Sequence, residues 1–173
     1  MKSLVFHGNG CTVFNTKGDV VYRVDNYQKR CGSRVFLMDA NGKVLYSINK
    51  KKMHISGCWE GYKWNGNSKD NDGRPWFQVR RNSAILSKDM SYKVAFKCRE
   101  ENDEYKIIGS IQGKSALKIV DSSCHLLAEA VQKQSLMGVS LGEDVLRLTV
   151  EPQADQSLVM ALVTVYSMIN NKL

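Results

Sequence analysis

The stretch LVMALVTVYSMI, residues 158–169, decides the fold of this chain. It lies shortly after Asp155, a residue type that often caps helix N-termini, and it is followed by two asparagines, which often end a helix. Thr164 and Ser167 are its only polar interruptions. A helix without a polar face has to be surrounded by protein or by lipid on all sides.

The helix that this pattern predicts over residues 155–170 is too short to cross a membrane comfortably. Twelve apolar residues at about 1.5 Å each extend about 18 Å, well short of a hydrocarbon core of about 30 Å. Surrounding protein is therefore the favoured environment, and a transmembrane anchor is the disfavoured alternative. In a β protein, the interior of a barrel is the place that encloses a helix on all sides.

The rest of the chain indicates such a barrel. Short runs rich in β-branched and aromatic residues alternate with Gly, Asn and Asp, and no helical pattern separates them, which favours antiparallel sheet over βαβ units. The runs lie near residues 3–6, 11–15, 20–25, 34–39, 44–49, 54–64, 75–82, 91–98, 105–111, 116–121, 126–132 and 144–150. We therefore predict a mainly β protein with one domain over residues 1–173, a closed antiparallel β-barrel of about 12 strands that encloses a hydrophobic C-terminal α-helix.

A recurring turn supports construction from hairpins. The segment beginning at Asn15 (NTKGDVVY) resembles the one beginning at Asp39 (DANGKVLY), and the one beginning at Asp121 (DSSCHLLA) is a degenerate third copy. Each starts with an Asx residue, whose side chain can accept hydrogen bonds from the following backbone. The first two place Gly where the φ angle can be positive.

Composition and charge restrict the partners. The 173 residues are 43% hydrophobic and 24% charged with a net charge of +8, which excludes disordered, collagenous and multi-pass membrane classes. Residues 1–120 carry 22 basic and 11 acidic side chains (+11), whereas residues 121–173 carry 3 and 6 (−3). An anion-binding surface is therefore expected from the first two thirds, with nucleic acid or anionic lipid as its partner.

The cysteines and the N-terminus indicate an intracellular protein. The five cysteines form no C-x-x-C motif and no cluster with histidine, and the first residues do not resemble a signal peptide. We expect reduced thiols, each serving as a small core residue, in a cytoplasmic protein with peripheral membrane or nuclear association. Neither a metal site nor a cofactor is expected.

Two motifs that would indicate catalysis or calcium binding are incomplete. Residues 138–142 match G-x-S-x-G, but a strand rather than a helix is predicted to follow, and all three histidines precede Ser140. Residues 68–73 resemble a calcium loop, yet Ser68 and Val79 occupy positions where an EF-hand needs carboxylates. We predict no enzyme activity, no catalytic residues and no small-molecule substrate.

Motifs along almost the whole chain resemble those of a known family. They are Ser3-Leu4-Val5-Phe6, Gly10-Cys11-Thr12-Val13-Phe14, Tyr22-Arg23-Val24-Asp25-Asn26-Tyr27, Leu37-Met38-Asp39-Ala40-Asn41-Gly42, Trp59-Glu60-Gly61-Tyr62, Phe77-Gln78-Val79-Arg80-Arg81, Ala128-Glu129-Ala130-Val131 and LGEDVLRLTVEPQADQSLVMALVTVY at 141–166. Together they resemble the plant LURP-one-related (LOR) family, within the tubby C-terminal-like and phospholipid scramblase-like superfamily.

The resemblance implies a tubby-like barrel around a central hydrophobic helix. It also implies a membrane-tethered, phosphoinositide-binding or regulatory module in plant defence, because tubby proteins of the superfamily bind phosphoinositides. Family members usually carry a leading segment with an extra strand before the position of Met1. If this segment is absent from the protein, one edge of the barrel would be left unpaired, which is a liability in a β-sheet.

Local charge, rather than the family resemblance, selects the candidate site residues. Phosphate groups demand dense positive charge and convergent N–H donors, which Lys and Arg supply. The candidates for binding anionic lipid head groups are Lys29, Arg30, Arg34, Lys50, Lys51, Lys52, Arg80 and Arg81. The expected partner is an anionic phospholipid membrane surface. The alternative is a scaffold that binds DNA or regulatory proteins without affinity for lipid.

Overall fold

The computed structural model describes residues 2–7, 10–29, 32–51, 57–64, 74–82, 90–97, 104–109, 115–133 and 145–170. Within them the chain forms twelve β-strands followed by one α-helix, so the predicted mainly β class with a C-terminal helix is confirmed. The elements are β1 (Lys2–His7), β2 (Gly10–Phe14), β3 (Val20–Lys29), β4 (Gly32–Asp39), β5 (Val44–Lys51), β6 (Cys58–Lys63), β7 (Phe77–Arg81), β8 (Met90–Phe96), β9 (Glu104–Gly109), β10 (Ser115–Val120), β11 (Leu126–Gln132), β12 (Val145–Val150) and α1 (Gln156–Ile169).

The strands form one antiparallel sheet that closes on itself. Each strand pairs with its neighbours in sequence, and β1 pairs with β12 as well as with β2, with Leu4 opposite Leu146 on one side and opposite Val13 on the other. No edge is left unpaired among the described strands, because β1 lies between β2 and β12. Closure of this kind removes the exposed edges of a sheet.

Helix α1 fills the interior of the barrel. Every residue from 158 to 168 is buried, which agrees with the absence of a polar face in the sequence. Strand residues of the inner wall, such as Leu37, Ile48 and Leu117, are fully buried in the same cluster of apolar side chains as the helix. The interior is therefore a packed core in which helix and sheet cover each other.

Local hydrogen bonds cap α1 and satisfy the hydroxyls of its two buried polar interruptions. The Asp155 carboxylate accepts bonds from the backbone N–H groups of Ser157 and Leu158, at 2.9 and 3.1 Å, and Asn170 is the C-cap, so both predicted ends are confirmed. The hydroxyls of Thr164 and Ser167 donate to helix carbonyls four residues earlier, at 2.8 and 2.9 Å. The two polar interruptions are thus buried without an unpaired hydroxyl.

The three predicted hairpin turns share one hydrogen-bond pattern. In each, one Oδ1 atom accepts bonds from the backbone N–H groups two and four residues later, at 2.8 to 2.9 Å. The accepting residues are Asn15, Asp39 and Asp121. Because neighbouring strands alternate in direction, these turns lie at one end of the barrel, where α1 begins; we call it the Asp155 end.

The third turn differs from the others at its left-handed position. Gly18 and Gly42 have φ angles of +90° and +81°, whereas Cys124 occupies the equivalent position with φ +65°. Cys124 is exposed, so the prediction of a core role is wrong for this residue, while Cys11 and Cys58 are buried as predicted. The turn geometry explains the difference, since Cys124 replaces a turn glycine.

Replacing Cys124 by Gly is expected to stabilise the protein by about 0.5–1 kcal/mol. A residue with a Cβ atom at positive φ costs about 1–2 kcal/mol, which exceeds the entropic cost of about 0.5–1 kcal/mol that glycine adds. Urea denaturation measures the difference. Cys124→Ala is the matched control, because it removes the thiol but keeps the Cβ atom, and it should give no gain. A gain for Ala equal to that for Gly would contradict the backbone explanation.

Candidate anion-binding cleft

The lysines Lys50 and Lys51 do not lie on one surface. Successive residues of a strand point to opposite faces of the sheet. The Lys50 ammonium lies 5.9 Å from the ring centroid of Trp59, a residue of the core cluster, whereas the Lys51 ammonium lies 3.3 Å from Glu60 Oε1 on the outer wall. Lys52 lies outside the described residues.

The cations predicted at residues 29–34 also do not form a site among the described residues. Arg34 is exposed on the outer wall of β4, directly opposite Asn49 of β5. Lys29 ends β3, but its side chain lies outside the described residues, as does the whole of Arg30. Of this group, only the Arg34 side chain has a described position, and it is three strands away from β7.

Arg80, in contrast, lies on the outer wall and lines a cleft of about 500 Å³ along β7 and β8. Arg81 also borders this cleft, but it lies opposite the core residue Tyr92, on the other face of β7. The residues lining the cleft are Gln78, Arg80, Arg81, Asn82, Lys93, Ala95, Lys97 and Glu104. The charged side chains on the outer wall are three cations, Arg80, Lys93 and Lys97, and one carboxylate, Glu104, which gives the wall a local charge of +2. We call this feature the basic cleft.

Sheet register explains why the cations converge. Arg80 of β7 lies directly opposite Lys93 of β8, and Lys93 lies directly opposite Lys106 of β9. Strand spacing of about 4.8 Å places these three Cα atoms within about 10 Å of one another. On the other side of Arg80, Cys58 of β6 separates it from Lys51 of β5, which continues the same cross-strand row.

Such a row is unfavourable for the sheet by itself, because like charges directly opposite one another repel. One carboxylate partly offsets the repulsion: Glu104 Oε2 lies 3.9 Å from the Lys93 ammonium. Both side chains are about half exposed, so this ion pair contributes little to stability. A bound anion would neutralise the row more effectively, because phosphate oxygens accept hydrogen bonds from several cations at once.

A buried polar network lies beside the basic cleft. Glu60 and Gln78 point outward from β6 and β7, yet they are only 6% and 8% exposed. The Glu60 carboxylate accepts hydrogen bonds from Gln78 Nε2 and from the Tyr62 hydroxyl, both at 2.9 Å, and from the Lys51 ammonium at 3.3 Å. Gln78 Oε1 in turn accepts a bond from Arg80 Nη2 at 3.2 Å.

The network keeps Glu60 ionised and Tyr62 protonated at neutral pH. Burial opposes ionisation of Glu60, but the hydrogen bonds from Tyr62, Lys51 and Gln78 prevail and hold its pKa below the usual value. Burial, together with the bond to the neighbouring carboxylate, raises the pKa of Tyr62 to about 12. Tyr62 is therefore a hydrogen-bond donor throughout the physiological range.

Sequence reasoning missed Lys93, Lys97 and Lys106 as partners of Arg80. Alternation in the run beginning at Tyr92 does place Lys93 and Lys97 on the face opposite the core side chains. The missing information is the strand register, which sets Lys93 between Arg80 and Lys106. Nothing in the sequence pattern predicted that Glu60 would be buried at an outward-facing position.

A second cation, Lys63, contacts an aromatic ring at a place separate from the cleft. Lys63 lies 5.0 Å from the ring centroid of Trp76 near the Asp155 end, whereas Arg81 lies near the opposite end of the barrel. Trp59 belongs to the core. Neither of the incomplete motifs at 68–73 and 138–142 falls on described residues.

Within the described part of the chain, no helix has the length and apolar character needed to span a membrane. The same residues contain no group of three or more His, Cys, Asp or Glu side chains placed to hold a metal ion.

Comparison with known proteins places the chain in a family. The family described as LURP-one-related (LOR) matches residues 1–167. LURP-one-related 11 of Arabidopsis thaliana is 42% identical over 175 residues, which cover 98% of this chain and 75% of that protein. LURP-one-related 3 of the same plant is 40% identical over 178 residues, covering 100% and 78%.

The fold has a counterpart among solved structures. The X-ray structure of a protein from Arabidopsis thaliana superposes with a TM-score of 0.69, covering 98% of this chain and 90% of that one. The sequence identity of 15% means that this likeness concerns the fold alone. The profile match and the relatives at 40% identity or more establish the relationship at the level of sequence: the chain belongs to the LURP-one-related family.

Proposed function

We propose that the basic cleft binds the phosphate groups of anionic phospholipids, phosphoinositides in particular, and so tethers the protein reversibly to a membrane surface. The observation that carries this proposal is the cross-strand row of Arg80, Lys93 and Lys106. On this view the barrel is a non-enzymatic, tubby-like regulatory module of the cytoplasm. The family resemblance supports a context in plant defence.

The chemistry of the cleft suits phosphate. Arg80 offers a planar fork that matches two oxygens of one phosphate group, and Lys93 and Lys97 add mobile point charges. A ligand phosphate would displace Glu104 from Lys93, which is easy because that ion pair is solvent-exposed. Each basic residue near an anionic membrane contributes about 1 kcal/mol, so the three outward-facing cations would give a weak, reversible contact.

The alternative function is a scaffold that binds DNA or regulatory proteins and has no affinity for lipid. The same row of cations fits the backbone phosphates of a duplex, and the salt dependence of binding would be steep for both ligands. Selectivity among head groups separates the two functions, because a duplex offers no equivalent of a phosphoinositide ring. A competing duplex in the lipid assay makes the comparison direct.

The double variant Arg80→Ala/Lys93→Ala is expected to weaken binding to phosphatidylinositol bisphosphate vesicles by about 30-fold, since it removes two cations worth about 1 kcal/mol each. Co-sedimentation measures the binding, against phosphatidylserine vesicles of equal surface charge. Lys17→Ala/Lys43→Ala is the matched control: it also removes two charges, but from exposed turns at the Asp155 end.

Equal losses in the two double variants would mean that net charge, rather than the cleft, attracts the vesicles. No binding of the unaltered protein at physiological salt would refute the lipid function. Displacement by duplex DNA, without preference between the two vesicle types, would favour the alternative.

A further inference from the structure

We propose that Glu60 is a positioning residue of the basic cleft: acting through Gln78, it holds the Arg80 guanidinium in the orientation that receives an anion. This inference rests on the proposed function. Glu60 is not among the described residues that line the cleft, and it lies on β6, one strand away from Arg80. Its influence on a ligand therefore has to pass through other side chains.

Two consecutive hydrogen bonds provide the connection. Gln78 Nε2 donates to Glu60 Oε1 at 2.9 Å, and Arg80 Nη2 donates to Gln78 Oε1 at 3.2 Å. Glu60 and Gln78 occupy directly opposite positions on β6 and β7, and Arg80 follows two residues later on the same face. The three side chains thus form a continuous chain from the buried network into the cleft.

The charge of Glu60 determines which way the Gln78 amide faces. A carboxylate only accepts hydrogen bonds, so the amide must present its NH₂ group to Glu60. The carbonyl oxygen then faces Arg80, which only donates. The opposite orientation would set carbonyl against carboxylate and NH₂ against guanidinium, leaving both contacts unfavourable. Ionised Glu60 therefore selects the single amide orientation that can hold Arg80.

Glu60 itself is well anchored for this role. The Tyr62 hydroxyl donates to Glu60 Oε2, and the Lys51 ammonium donates to Oε1, the atom that also accepts from Gln78. The same bonds hold the pKa of Glu60 below its ordinary value, so the carboxylate keeps its charge at neutral pH. The carboxylate is also buried, which strengthens hydrogen bonds to it.

Positioning and simple electrostatics predict opposite results for Glu60→Gln. Removing a negative charge beside a basic cleft should strengthen anion binding if the charge alone matters. If Glu60 positions Arg80, the substitution should weaken binding to phosphatidylinositol bisphosphate vesicles about five-fold, the range expected when one flexible side chain must be ordered on binding. Glu104→Gln is the matched control: this carboxylate lines the cleft beside Lys93, and its neutralisation should strengthen binding.

A second variant tests the same connection from the other side. Gln78→Leu breaks the link while leaving Glu60 in place, and it should weaken binding as Glu60→Gln does. In the Gln78→Leu background, Glu60→Gln should have no further effect on binding, because the connection is already lost. Additive effects, or stronger binding by Glu60→Gln, would overturn the inference. If Glu60→Gln fails to fold, the sign of the Gln78→Leu effect decides.

A measurement without ligand separates this inference from the proposed function. In the free protein, ¹⁵N relaxation should show that the guanidinium N–H groups of Arg80 are ordered. The same measurement on Glu60→Gln should show that they are mobile. Ordered resonances with no vesicle binding would refute the lipid function and leave the positioning intact. Mobile Arg80 resonances in the unaltered protein would refute the positioning, whatever the vesicles show.

Discussion

Replacing Val163 by Asp is expected to unfold the protein. Val163 lies at the middle of α1 and is 1% exposed, with apolar helix and strand side chains around it. An ionised carboxylate there would have no cation among the core residues, and burying an unpaired charge costs several kcal/mol. Because whole domains are stable by only about 5–15 kcal/mol, the loss should consume most of the stability. Circular dichroism and size-exclusion chromatography would detect the loss of the native state.

The same substitution at Val20 provides the control. Val20 begins β3 and is 36% exposed, so an aspartate there keeps its contact with water. We expect Val20→Asp to remain folded, with a loss of at most about 1 kcal/mol from reduced strand preference. A folded, fully soluble Val163→Asp variant would contradict the enclosure of α1 by the barrel.

Gly61→Ala is expected to destabilise the protein by about 3 kcal/mol, which is the upper range for overpacking a core. Gly61 of β6 lies directly opposite Phe77 of β7, and a Cβ atom on Gly61 would collide with three carbons of the Phe77 ring. The ring has little room to retreat, because it is fully buried and lies 6.0 Å, centroid to centroid, from the Tyr46 ring. Urea denaturation gives the free energy of unfolding.

A double-mutant cycle tests the cause of this effect. Phe77→Leu shortens the side chain that would collide, so Gly61→Ala in that background should cost less than about 1 kcal/mol. The difference between the two costs measures the steric conflict. Equal costs in both backgrounds would mean that Gly61 is required for another reason, such as its backbone conformation.

The sequence alone predicted the features that depend on neighbouring residues. The caps of α1 at Asp155 and Asn170 were predictable because each bonds to backbone atoms within four residues. The hairpin turns were predictable for the same reason, since an Asx side chain and the φ angle of the residue three positions later define them. Burial of α1 followed from its apolar residues, which leave no face for water.

The cleft and its network depended on tertiary structure. Lys50 and Lys51 are adjacent in sequence, yet strand geometry sends them to opposite faces. Arg80 and Lys93 are thirteen positions apart in the printed sequence, yet register makes them direct neighbours. Register follows from how all twelve strands pair around the barrel, including β1 with β12, and no local pattern encodes that arrangement.

Composition and local pattern thus determined the class of the fold, the position of its helix and the sign of its charge, because each of these follows from residue types and short-range spacing. Only the tertiary structure decided which cations lie next to one another and which carboxylate is buried beside them. It also decided how Gln78 connects Glu60 to Arg80. The physical reason is that cross-strand neighbours are set by long-range hydrogen bonding, whereas helix caps and turns are set within a few residues.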